Sequence, residues 1–370
     1  MSWIDVTYHL RGKAADAAAR ARTIAVEQSI EMPPEAVDDD AILSDVLGHV
    51  TGIEALEPEL HAVRIQLAAA TIGADAGQLL NMLFGNSSLH DDLTLADAEL
   101  PASLQRELGS GPGAGLRGLR ARVKAGARAL TASALKPQGL PPAELAKLAH
   151  AFALGGIDYV KDDHGLAQQS FSPFHQRVTA CTAAIRRATA STGHPTRYVP
   201  SLSGSLDAVR DQLRIIREEG LDTAMVAPAI LGLSNVQQLV RDHRDIAFLA
   251  HPSLTGAARI APAFLAKLWR LIGLDAVIFP NHGGRFGYSP ETCRQIAAAA
   301  RAPSGDLAAA LPVPAGGLSL ARVPEVLDFY GDEVMLLIGG NLLAERERLT
   351  EASAAFVAQV HHHAGAEIHA

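Results

Sequence analysis

The sequence predicts an α/β protein: a (β/α)8 barrel, the TIM-barrel architecture, preceded by a small α+β N-terminal domain. Three observations carry that expectation. From Leu130 onward, apolar runs too short for helices alternate with amphipathic stretches at helical spacing. Eight such runs recur about every 29 residues, room for one strand, one helix and two loops. Capping residues and prolines stand where the intervening helices should begin. The 370 residues accommodate such a barrel, which takes about 250, and a second unit before it.

Residues 1–115 lack the rhythm. Strand-like runs at Trp3–Leu10 and Ala62–Leu67 flank a helix over Lys13–Gln28, and a helix over Gln78–Phe84 follows, which makes this an α+β unit. The boundary falls in the glycine-dense segment 109–115, which reads as a turn or linker. No strand runs into it and no GK[ST] follows, so a phosphate loop is disfavoured. The barrel takes 116–350, with strands at Leu130–Leu135, Ile157–Val160, Arg197–Pro200, Thr223–Ala227, Ile246–Ala250, Ala276–Pro280, Ala310–Pro314 and Val334–Ile338. Helix starts are signalled by Pro141-Pro142 with Glu144, Ser172-Pro173, Ser205 with Asp207, Ser234, Ser289-Pro290 with Glu291, and Ser319. Residues 351–370 are expected to be a C-terminal helix and tail. An open doubly wound sheet would use six or seven of these strands; eight favour closure.

Composition narrows the partners. Lys plus Arg number 32 against 40 Asp plus Glu, a net charge of −8, and no basic block occurs. Nucleic acid and anionic membranes, which need clustered positive charge, are therefore not expected. Asp5 interrupts any secretory signal at the start, and the longest uncharged stretch, 223–240, contains Pro228, Asn235, Gln237 and Gln238, so a cytoplasmic protein without a membrane span is expected. Cys181 and Cys293 fall in separate helices, far from any CxxC spacing, and read as two buried thiols.

In a barrel of this kind the reactive groups sit at the C-terminal ends of the strands. Those ends carry Lys136; Lys161, Asp162, Asp163 and His164; Ser201 and Ser203; His251; Asn281 and His282; and the pairs Gly316-Gly317 and Gly339-Gly340. Lys136, fixed by Pro137, reads either as a desolvated general base or as a snorkelling side chain. The Lys161-to-His164 run could hold a divalent cation or form a solvated loop. His251 and His282 share one rim, although a lone histidine is commonly a packing residue. Glycine pairs after the last two strands let backbone amides approach a phosphate closely. His361-His362-His363, with His369, reads as an irregular surface tail rather than a metal tract.

Taken in order, ALKPQGL (134–140), GGIDYVKDDHGL (155–166), AHPSLTG (250–256), FPNHGGRFG (279–287), PVPAGG (312–317) and LLIGG (336–340) resemble the barrel motifs of the RuBisCO large-subunit superfamily. In the N-terminal region AVEQS (25–29) and FGN (84–86) resemble segments that reach into a neighbouring subunit's site. The resemblance implies that Lys136 handles the substrate proton and that Lys161 takes up CO2 as a carbamate. With Asp163 and His164, Lys161 would then hold Mg2+. It further implies that His251 and His282 contact substrate or act as acid and base, and that both glycine pairs hold one phosphate. Glu27 and Asn86 would complete the partner's site in a homodimer with shared active sites. The chemistry implied is proton abstraction beside a carbonyl to give an enediolate stabilised by a divalent cation.

The departures are equally informative. His164 stands where carboxylases have a glutamate, a softer ligand than Mg2+ prefers. Pro252 replaces an arginine and Ala315 a serine, so one phosphate is accommodated and a second is not. Gln138 replaces a lysine, and the mobile-loop lysine that positions CO2 is missing from 282–290, where Arg285 would supply a substitute charge. A non-carboxylating RuBisCO-like protein (form IV) acting on a monophosphorylated small molecule is therefore expected. The motifs SALKPQGL and KDDH with the short N-terminal domain favour a transcarboxylase/hydrolase that converts 3-oxo-isoapionate 4-phosphate to 3-phosphoglycerate and glycolate. The alternatives are a methionine-salvage isomerase or enolase on a methylthio-sugar phosphate, and a sugar-phosphate-binding protein without catalysis.

Overall fold

The computed structural model describes residues 2–365. Strands β1 (Trp3–Arg11), β2 (His49–Glu57), β3 (Leu60–Ala68) and β4 (Leu93–Glu99) form an antiparallel sheet in the order β2-β3-β1-β4. Alternation along β1 buries Ile4, Val6, Tyr8 and Leu10. They join one core with Ile24 of helix Ala14–Glu27 and with Leu79 and Leu83 of helix Ala76–Phe84. Two of the four strands lacked a signal in the sequence. β2 is an edge strand that buries none of its residues, so it shows no alternation to read.

All eight barrel strands form: β5 (Leu130–Leu135), β6 (Tyr159–Asp162), β7 (Arg197–Val199), β8 (Thr223–Val226), β9 (Ala247–Ala250), β10 (Ala276–Pro280), β11 (Leu311–Ala315) and β12 (Met335–Leu337). They pair in parallel as β12-β5-β6-β7 and β8-β9-β10-β11. The Met225 amide donates to the Pro200 carbonyl, and the Leu202 amide to the Met225 carbonyl, joining β7 to β8. β11 and β12 lie side by side and complete the ring. The result is a (β/α)8 barrel behind a small α+β domain.

Residue parity then decides what faces the axis. Ala132, Tyr159, Val199, Met225, Leu249 and Ile278 fill the interior. Their neighbours, such as Val160, Tyr198, Ala224 and Phe248, pack outward under the helices. Helix Gly115–Arg122 plugs the lower end with Leu116 and Leu119, and Tyr159 Oη donates to the Leu119 carbonyl.

The glycine-dense segment is not the loose linker expected of it. Gly109 lies so close to the barrel that a Cβ there would stand 2.1 Å from the Leu271 carbonyl oxygen. The amides of Ala114 and Gly115 both donate to the buried Asp275 carboxylate at 2.7 Å. The glycines permit close approach of two backbones, and a carboxylate pins the plug beneath the barrel. The C-terminal histidines also differ from expectation. His361–His363 close the helix Leu349–His363, and His363 Nε2 lies 3.0 Å from Asp328, because the helix extends through them instead of fraying. His369 lies outside the described residues. Among those described, no helix is long and apolar enough to cross a membrane.

At the lower rim Asp158 is fully buried. Arg128 holds it with two 2.7 Å hydrogen bonds, and the Thr131 amide donates at 2.8 Å. Burial alone would raise its pKa, but the hydrogen bonds from Arg128, with His194 nearby, bring it below the ordinary value. Asp158→Ala strands the guanidinium and is expected to cost about 3–5 kcal/mol in urea unfolding. The stabilisation by Asp158 is complete above the unfolded aspartate pKa of about 3.9 and disappears as pH falls through the depressed folded value. The acid limb of the stability profile should therefore flatten in the variant.

Candidate active site

A cavity of about 590 Å3 opens at the C-terminal ends of the strands. Continuing the inward parity of β5 and β6 brings Ala134 and Lys136 from one strand, and Lys161 and Asp163 from the next, to its wall. Lys161 is 4% exposed, and its Nζ donates to the Asp162 carbonyl at 2.7 Å. Burial pushes this amine down to about 8, with nearby Asp163 opposing the shift. Asp162, between them, points the other way and is wholly buried. Arg177 Nε (3.0 Å), Tyr198 Oη (2.6 Å) and the Ser201 amide (3.1 Å) all bond its carboxylate. Ser201 thus serves the wall, not the cavity.

Lys136 is not the desolvated amine that one sequence reading offered. Its side chain is 34% exposed, and its Nζ bonds Asp163 Oδ1. Burial would raise the Asp163 pKa, but the neighbouring His164 and the hydrogen bond from Lys136 hold the carboxyl well below the usual carboxylate range. His164 Nδ1 lies 3.5 Å from the same oxygen. The His164 ring stacks on His251 at 4.6 Å between centroids and 6° between planes. His251 Nδ1 is 2.8 Å from Ser253 Oγ. Burial, with the nearby Lys161 and His164, pushes His251 down to about 2, which leaves a neutral imidazole on the cavity wall.

His282 does not reach this cavity. β10 ends at Pro280, and the chain then turns through the buried Asn281, whose Oδ1 accepts from Tyr330 Oη at 2.6 Å. The turn lays the His282 ring 4.5 Å from Phe329, with Nε2 buried and unpartnered and its pKa lowered by burial. The shared rim expected of His251 and His282 is thus absent.

Gly316, Gly317, Gly339 and Gly340 all line the cavity, and none of their amides donates to another described residue. Gly317 adopts φ +120°, which an L side chain rarely does. Arg285 lines the same side, its amide bonded to the Gly316 carbonyl at 2.7 Å. Glu27 and Asn86 are absent from the cavity. They meet each other instead, Asn86 Nδ2 donating to Glu27 Oε1 at 2.9 Å and to Glu31 at 3.0 Å.

The donor set is sparse for a metal. Among the described residues no three His, Cys, Asp or Glu groups converge on one point. The 3.5 Å between Asp163 Oδ1 and His164 Nδ1 does suit two ligand atoms about 2.1 Å from one ion. No third His, Cys, Asp or Glu among the described residues joins them.

The family model for the ribulose bisphosphate carboxylase large chain, catalytic domain, matches residues 115–355. The chain belongs to the RuBisCO large-chain family. It falls among the RuBisCO-like proteins of the non-carboxylating branch. It is 56% identical over 356 residues to a 5-methylthioribulose-1-phosphate isomerase of Rhodospirillum rubrum, covering 96% of this chain and 95% of that one. A 2,3-diketo-5-methylthiopentyl-1-phosphate enolase of Geobacillus kaustophilus is 33% identical, over 76% of this chain and 70% of the other. The crystal structure of a RuBisCO-like protein from Rhodopseudomonas palustris superposes with a TM-score of 0.92 at 50% identity, covering 97% and 98% of the two chains.

Sequence reasoning missed part of this RuBisCO-like cavity. Leu254, Phe286 and Tyr288 also line it, Leu254 on the loop that carries Pro252 and the Phe286 ring against Gly316, and Leu254 and Phe286 are 63% and 52% exposed. The signal was an exposed leucine at φ +71° after a strand end, which only backbone angles reveal. The neutral state of His251 is testable. Its imidazole 15N shifts should not titrate between about pH 5 and 8; a midpoint in that range would contradict the buried, cation-flanked setting.

Proposed function

We propose that this RuBisCO-like protein isomerises 5-methylthioribulose 1-phosphate through an enediolate. The observation that carries this reading is the polarity of the cavity. Four glycines with free amides stand after β11 and β12, and Pro252 and Leu254 stand on the loop after β9. A ligand spanning that distance meets an anion cradle at one end and hydrocarbon at the other, which suits a phosphate and a methylthio group. The resemblance to the Rhodospirillum rubrum isomerase over nearly the full length supports the same substrate.

The chain's own groups divide the work. The amides of Gly316, Gly317, Gly339 and Gly340 bind the phosphate, with Arg285 adding positive charge. Lys136 Nζ removes the proton from the carbon beside the carbonyl. The C–H electron pair becomes the C=C bond of the enediolate, and the carbonyl oxygen takes the negative charge. The proton then returns to the former carbonyl carbon while the neighbour's hydroxyl proton passes to the former carbonyl oxygen, and the ketone reappears on that neighbour. Among the described residues Asp163 is the one carboxylate that pairs with Lys136, so whatever engages Asp163 frees that amine. Neutral His251, anchored by Ser253, hydrogen-bonds the substrate oxygens without adding charge. Lys161 as a carbamate, with Asp163 and His164, would hold a divalent cation, Mg2+ in the family's usual form, which would supply Lewis-acid stabilisation of the enediolate oxygens. Glu27 and Asn86, outside their own cavity, complete the site of a second copy in a homodimer.

The transcarboxylase/hydrolase expectation has less behind it. 3-Oxo-isoapionate 4-phosphate carries a carboxylate as well as a phosphate, and the second anion would have to desolvate against Pro252 and Leu254. The relatives named above are an isomerase and an enolase of methylthio-sugar phosphates. A binding protein without catalysis is disfavoured by Lys161, a buried amine whose Nζ, among the described residues, makes no ion pair with a carboxylate, which is costly to retain without a task.

31P NMR with the protein, bicarbonate and a divalent cation should show conversion of 5-methylthioribulose 1-phosphate to an isomeric monophosphate. Release of 3-phosphoglycerate from 3-oxo-isoapionate 4-phosphate, with the methylthio substrate untouched, would overturn the assignment. Lys136→Met should lose turnover by about 100-fold or more while inorganic phosphate still binds. Leu254→Ser should lower kcat/KM by about tenfold through weaker apolar contact and leave phosphate affinity unchanged.

A further inference from the structure

We propose that the cation site selects a later first-row transition ion, such as Co2+, over Mg2+, because His164 contributes an imidazole nitrogen to it. The proposal rests on the metal site described above but not on the identity of the substrate. Its evidence is the way His164 is held. Nδ1 lies 3.5 Å from Asp163 Oδ1, a separation two atoms have when they bind one ion side by side. The half-exposed ring would otherwise rotate freely. It is fixed instead by parallel stacking on His251, itself tied through Nδ1 to Ser253 Oγ. His251 cannot join as a second ligand in this arrangement. Imidazole lone pairs lie in the ring plane, and planes 6° from parallel do not converge on one ion. The set is thus one carboxylate, one imidazole and the oxygen of a Lys161 carbamate or substrate.

Such a mixed set differs from what Mg2+ requires. Mg2+ is a small, hard ion that favours oxygen in a near-ideal octahedron and gives up water reluctantly. Nitrogen donors shift preference along the first row toward Co2+ and beyond. A stacked ring aimed at a carboxylate oxygen keeps that nitrogen in place before the ion arrives, which reduces the ordering cost of using it.

The test needs no substrate, so its outcome is independent of the isomerase reading. The full-length protein in bicarbonate is titrated with Co2+ by visible absorption, and bound Co2+ is then competed with Mg2+. The wild type should bind Co2+ about 100-fold more tightly than Mg2+, and H164E should reduce that ratio by about tenfold or more. H164Q, neutral and oxygen-donating, should move it the same way and change the Co2+ d–d band. A ratio that is equal in the wild type, H164E and H164Q would overturn the proposal. So would displacement of Co2+ by equimolar Mg2+, or an absence of Co2+ binding at millimolar concentration.

Discussion

Strand β6 carries charge on both of its faces, and the cavity depends on how that charge is sorted. Asp162 points outward into a fully buried network in which Arg177, Tyr198 and the Ser201 amide satisfy its carboxylate. Arg177 in turn donates to the Ser172 carbonyl at 2.7 Å, which ties the network to the start of the next helix. A one-residue slip of β6 would put Lys161 and Asp163 into that helix layer and expose Asp162 to the cavity, leaving Arg177 buried without its partner. The register is therefore strongly specified. With it fixed, Asp163 gathers Lys136 and His164 on one oxygen, and His164 aligns on His251.

The rest of the cavity is built by loops laid over this frame. A Cβ on Gly284 would stand 2.4 Å from the Gly316 oxygen, and the Arg285 amide bonds that oxygen. The loops after β10 and β11 are thereby joined, and Arg285 is brought to the glycine cradle. The loop after β9, two strands from β11, places Pro252 and Leu254 on the wall of the same cavity.

Much of this was legible in the sequence because strand parity and motif position carry it. Lys136, Lys161, Asp163, His251 and the four glycines all reach the cavity from strand ends that hydrophobic periodicity located to within a few residues. What failed was direction after a strand stops. His282 has the inward parity of Ile278 and Pro280, but the turn at Asn281 sends it against Phe329, and no periodic rule describes a turn. Pairing was equally hidden: the Lys136 ammonium meets Asp163 across 27 residues, and the Gly109–Gly115 segment packs on Leu271 and Asp275 far along the chain. The edge strand β2 escaped notice because it buries nothing. The substrate proposed above differs from the one the sequence favoured, because Leu254, which lines the cavity beside Pro252, is an exposed loop residue that periodicity does not assign to a site.

The most direct measurement is hydrogen exchange at the carbon beside the carbonyl. 5-Methylthioribulose 1-phosphate would be incubated in D2O with the full-length protein, bicarbonate and a divalent cation, and followed by 1H and 13C NMR. Deuterium is expected to enter at that carbon, because an enediolate is formed and reprotonated by a lysine in contact with solvent. Recovery of substrate and product with no deuterium from folded protein that still binds phosphate would contradict enediolate chemistry at this site.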